Sequence, residues 1–167
     1  TDLYLAQKKT AEAAATLDKF LGQHPNAPSA DLALLTLGEL RLRQHLAVIS
    51  GHGTNIEVTV TNPLPLAHAA FERLTTNFPS SPLIGKGQLN LGWCLWLERK
   101  MPAAETAFRA ATERLPASLD QATAFFKLGD SQFQQQNFTG ALGNYKAILE
   151  KFQNLPEVKT NLLESGL

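Results

Sequence analysis

The chain has 167 residues, 44% hydrophobic and 18% charged, which is enough for one globular domain with a substantial core and excludes disorder throughout. Its 15 basic residues balance 15 acidic ones and are scattered, so no overall field draws in DNA, RNA or an anionic membrane, and no nucleic-acid partner is expected. A single cysteine excludes an internal disulfide and a multi-cysteine zinc site, and no apolar run reaches the roughly 18 residues that a membrane span needs.

In chain order, "TDLYLAQKKT" opens inside a helix, with Tyr4 as a packing aromatic on the tail of a first helix, and a second helix covers about 10–24. A helix over about 29–47 follows, with Ser29 placed to accept free first-turn amides and Asp31 at the positive helix end. Gly51 and Gly53 break the pattern. Within an insertion at about 48–63, Ile56, Val58 and Val60 alternate with Glu57, Thr59 and Thr61 at strand periodicity. This stretch either pairs with "LAVIS" as a small hairpin or is an irregular loop; a lone hairpin is marginal in water.

Helical patterning resumes in "PLPLAHAAFERLTTNFP" and continues over 81–116 and 119–152, with Ser81 and Pro82 suited to a helix start. From Pro156 on, Val158, Leu162 and Leu163 begin another helical stripe. A chain that opens and closes inside helical patterns reads as a piece of a longer protein, so the lack of a leader says nothing about compartment.

The segments repeat. Leu37-Gly38, Leu91-Gly92 and Leu128-Gly129 are spaced by 54 and 37 residues, and Ala13, Ala67, Ala104 and Ala141 by 54, 37 and 37. Leu17, Phe71, Phe108 and Tyr145 each follow their alanine by four, and Pro25, Pro79 and Pro116 keep the 54 and 37 spacing. The longer interval exceeds the shorter by 17, the size of the insertion. Gly on one helix and Ala on its partner let two backbones approach, and the residue four after Ala shares its face. Proline ends the second helix. Each unit is therefore a helix, a turn and a second helix.

This pattern resembles the tetratricopeptide repeat, which implies an all-α, right-handed α-α superhelix of antiparallel helix pairs. The units fall at about 1–27, 28–80 with the insertion, 81–117 and 118–155, and a fifth begins at 156–167. The wording "NFPSSPLIGKGQLNLGW" and "YKAILEKF" is similar to bacterial envelope repeat proteins of the Tol-Pal cell-division coordinator and barrel-assembly lipoprotein type. That likeness implies the periplasm, with the cytoplasm as the other reading. Arg41 and Gln132 stand where the family has an aromatic, so two helix contacts are expected to be looser.

Chemistry is sparse. His24 at a helix end suits the dipole, and His45 and His68 lie in helical stretches. His52 and Glu57 are too few for a closed metal site. Cys94 has no base at helical spacing and reads as inert core. "NFT" at Asn137 is a glycosylation sequon in form only, and no phosphate-cradling loop or nucleophile elbow is present. No catalysis, metal or cofactor is expected.

Surface recognition remains. By the family's register, the groove-facing positions are Leu32, Leu35, Glu39, Leu42 and Arg43, then Lys86, Leu89, Trp93, Trp96 and Leu97, then Thr123, Phe126, Asp130, Phe133 and Gln134. Leu91 and Leu95 face the paired helix, and Trp93 and Trp96 are either inter-repeat core or groove. Lys86 and Asn90 are only a fragment of the family's carboxylate clamp. The resemblance implies a non-enzymatic scaffold holding a protein or peptide segment. The rival reading is an architectural spacer whose groove is filled by its own insertion or by self-association.

Overall fold

The computed structural model describes residues 2–50 and 62–155, with side chains from Lys9 onward. Among the described residues are α1 (Asp2–Gln23), α2 (Ala30–Ile49), α3 (Pro63–Asn77), α4 (Ile84–Leu97), α5 (Met101–Arg114), α6 (Leu119–Gln134) and α7 (Phe138–Phe152), and no strand. The chain divides into two compact units, Thr1–Leu83 and Ile84–Leu167. In the first, α1 packs on α2 and α2 on α3; in the second, α4 packs on α5, α5 on α6 and α6 on α7, and α4 also touches α6.

The spaced glycines are the hubs of the helix pairs. A Cβ on Gly38 would lie 2.5 Å from the Phe71 ring, one on Gly92 2.5 Å from Phe108, and one on Gly129 2.6 Å from Tyr145. Each ring thus packs against the glycine of the partner helix, in the place that a side chain there would fill. Ala67, Ala104 and Ala141 are buried beside these contacts. In α1 the buried alanine is Ala14, while Ala13 is exposed, so the first unit's marker is displaced by one residue.

Three other expectations are corrected. Residues 2–23 form one unbroken helix rather than a tail and a second helix, because no Gly or Pro interrupts the Ala-, Lys- and Leu-rich run up to Gly22. The α2 helix runs through Leu46 to Ile49, so "LAVIS" is not a strand; the alternating residues 56–61 lie outside the described residues. Ser29 makes no capping bond. Instead Asp31 Oδ1 accepts from the Leu32 amide at 2.8 Å, and Asp31 Oδ2 accepts from Ser81 Oγ at 2.7 Å. Ser81 and Pro82 stand just before α4, and Ser81 Oγ accepts from the Leu83 amide at 3.1 Å, as expected of a residue at a helix start.

The caps that do form explain the other helix starts. Asn62 accepts from the Leu64 amide with Pro63 at the first position, Ser118 from Gln121, and Asn137 from Gly140. The turns inside the two pairs of the second unit are alike. Lys100 N donates to Leu95 O, and Asn137 N to Gln132 O, both at 2.9 Å, with Arg99 (φ 62°) and Gln136 (φ 64°) in the left-handed region. This is the closing bond of a helix C-terminus, in a conformation that favours glycine.

Candidate interaction surface

The positions picked for a groove divide into core and surface. On α2, Leu35 is buried, Glu39 and Leu42 are half-buried, and Arg43 and Leu32 are exposed. On α4, Leu89 is buried among Ala107, Ala111, Ala124 and Leu128, in the core shared with α5 and α6. Leu35 and Leu89 therefore belong to packing and are corrected from groove to core: a helix that touches helices on two sides has little free face left.

What stays accessible lies on the adjoining faces of α4 and α6. Trp93, Trp96, Leu97, Phe126, Thr123 and Asp130 are half-buried, and Phe133 and Gln134 are exposed. Trp93 is seated edge-on to Phe108 with centroids 6.2 Å apart and planes at 89°. Phe133 stacks edge-on with Phe138 at 5.2 Å, and more than half of each side chain is exposed. Lys86 is bound to Asp120 at 2.7 Å, which ties the start of α4 to the start of α6 and leaves its ammonium committed.

The tryptophans are thus neither sealed core nor bare groove, and the reason is a residue absent from the sequence-based set. Lys127 Nζ lies 5.0 Å from the Trp93 ring centroid, 5.0 Å from that of Trp96 and 4.9 Å from that of Phe126. It donates to Asp130 Oδ2 at 2.7 Å, and Asp130 Oδ1 accepts from the Tyr145 hydroxyl at 2.9 Å. Burial, with the hydrogen bond to and the charge of Asp130, pushes the Tyr145 phenol up to about 12. No local signal marks Lys127, because two of its rings come from another helix.

Arg41 and Gln132 do not loosen their contacts. Arg41 is buried and donates from NH2 to Asp18 Oδ2 at 2.6 Å, joining α2 to α1. Gln132, also buried, donates to Glu105 Oε1 at 3.1 Å and accepts from Asn144 Nδ2 at 2.7 Å, joining α6 to both α5 and α7. A polar bridge replaces the aromatic in both places. Burial acts to raise the pKa of Glu105, but hydrogen bonds from Gln132, Arg109 and Gln135, with the Arg109 charge, outweigh it and hold the carboxyl below its usual value.

Cys94 is fully buried, and burial first, then the charge of Glu98, push its thiol up to about 12. A thiolate nucleophile does not form there near neutral pH. No described helix is long and apolar enough to cross a membrane.

The search of curated proteins gave no match. Tetratricopeptide-repeat family models match residues 64–118 and 103–156, and a further one matches 2–27. The overlapping matches start in α3, whose Phe71 packs on Gly38, and run through α7, so they take in both Gly–aromatic contacts of the second unit. The chain belongs to the tetratricopeptide-repeat family, whose helix-pair repeats serve protein–protein interaction.

Proposed function

We propose that the chain is a non-catalytic scaffold that holds a peptide or protein segment against the adjoining faces of α4 and α6. The observation that carries this reading is the row of half-exposed Trp93, Trp96, Leu97 and Phe126, ending at exposed Phe133, on two touching helices backed by a packed core. Aromatic side chains that are rigidly held yet accessible are the residue types that dominate binding energy at interfaces. On the first unit, Arg43 is exposed and Glu39 and Leu42 are half-buried on α2, a separate surface of that unit.

A second reading, an architectural segment whose open faces are covered by self-association, is favoured by α7. Leu142 and Leu149 share one face and are 52% and 66% exposed. Their counterparts 37 residues earlier, Glu105 and Thr112, accept hydrogen bonds from the neighbouring α6. The likeness of "NFPSSPLIGKGQLNLGW" to envelope repeats supports a bacterial periplasmic setting, which fractionation of cells that make the protein tests. Recovery of the protein in the cytosolic fraction would remove it.

A photo-crosslinking amino acid placed in the full-length protein at Leu97 or Phe133, and at Lys146 on α7 as control, separates the two readings. Adducts from the α4 and α6 positions to a different protein support the scaffold. Adducts of twice the chain's own mass support self-association, and reaction from Lys146 alone overturns the proposed face.

A further inference from the structure

Three aromatic rings around one ammonium make up a recognisable kind of binding site. A cation within about 6 Å of a ring centroid is attracted by the ring's negative face, and cages of such rings select methylated or quaternary ammonium groups. Trp93, Trp96 and Phe126 meet that distance at once, and Asp130 supplies the countercharge. The occupant is the chain's own Lys127.

Two of the three walls are held by rings rather than by that occupant, and Trp96 packs against the core of α4, α5 and α6. Trp93 rests on Phe108, whose ring is fixed against Gly92. Phe126 lies 5.8 Å from Tyr145, whose ring is fixed against Gly129 and whose hydroxyl orients Asp130. Trp93, Phe126 and Asp130 are therefore preorganised by the same contacts that set the repeat. Lys127 arrives on a flexible stem, with a strongly hydrated ammonium that water competes for. A quaternary ammonium carries a weaker hydration shell and presents methyl groups to all three rings.

We propose that Trp93, Trp96, Phe126 and Asp130 form a cage for a quaternary or methylated ammonium group, and that Lys127 is its internal competitor. An external ligand enters as Lys127 swings out, so its apparent affinity is reduced by the fraction of time that the cage is open. This inference stands on the cage geometry alone and holds whether or not a peptide lies along α4 and α6.

The two indole N–H signals report on the cage directly, because Trp93 and Trp96 are the only tryptophans of the chain. The wild type, Lys127→Ser and Lys127→Gln are titrated with tetramethylammonium, acetyl-trimethyllysine amide and choline. The uncharged isostere 3,3-dimethylbutanol is the control. Saturable shifts of both indoles are expected in the variants, roughly tenfold or more tighter than in wild type and absent with the isostere. The tighter of the trimethyllysine and choline arms names the source of the group. Lys127→Gln keeps the stem and loses the charge, so it carries the test if Lys127→Ser does not fold. A folded variant whose indoles do not respond overturns the proposal, as does wild-type binding equal to that of the variants.

Discussion

At the residue scale, the absence of a side chain decides as much as its presence. The Phe108 ring lies 2.5 Å from where a Cβ on Gly92 would stand, and the ring is fully buried, so the ring or the α4 backbone would have to shift. Gly92→Ala should destabilise the fold by about 1–3 kcal/mol in urea unfolding, and an unchanged midpoint would refute the contact. Tyr145 gives a second residue-level outcome. Its pKa is raised to about 12, so its contribution is complete below the free tyrosine value of about 10 and is lost as pH rises from there towards 12. Wild type should therefore lose stability relative to Tyr145→Phe between about pH 10 and 12; parallel pH profiles for the two proteins would contradict the Tyr145–Asp130 bond. The Gly, Ala and aromatic of each pair were legible because they recur at a fixed spacing. Lys127 was not, since its place over Trp93 and Trp96 depends on how α4 and α6 lie together, which no spacing within either helix encodes.

At the scale of elements, the register of the helix pairs could be read from the chain, and the details of their ends could not. Pro, Asn and Ser mark several starts correctly, whereas Ser29 loses its capping role to Asp31, whose carboxylate also reaches Ser81. The unbroken α1 was hidden by an assumed turn that has no breaker residue to form it. Arg99 and Gln136 adopt left-handed backbone where glycine is favoured, so Gln136→Gly should raise stability by roughly 0.5–1 kcal/mol. A loss on that change would show that the Gln136 side chain contributes more than its backbone strain costs.

Between elements, Glu105 receives Gln132 from α6, Gln135 from just after that helix, and Arg109 from its own helix. Its carboxyl titrates below the usual value. The stabilisation is present above the free glutamate pKa of about 4.3 and disappears as pH falls below it. Acid unfolding should be steeper in wild type than in Glu105→Gln; identical acid limbs would show that the α5–α6 bridge carries no charge. Arg41 and Gln132 were visible in the sequence as departures from an aromatic. Their partners Asp18 and Glu105 were not, because nothing in the sequence marks which residues of the neighbouring helices they reach.

For the whole molecule, the family and the helix-pair repeat follow from markers that survive an insertion, and the matches over 64–118 and 103–156 agree with them. The proposed face was only partly legible. A register names which positions point away from the paired helix, but Leu35 and Leu89 show that some of those positions are consumed by neighbouring helices. Phe133 and Leu97 keep free surface, and Phe133 is 54% exposed, so truncating them removes little core. The most direct measurement is calorimetric titration of the cross-linked partner segment against wild type, a Leu97→Ala plus Phe133→Ala double variant, and Lys146→Ala on α7. The account predicts about tenfold or weaker binding by the double variant, roughly 1.4 kcal/mol or more, with wild-type affinity for Lys146→Ala. Wild-type affinity in the double variant, or an equal loss in Lys146→Ala, would contradict it.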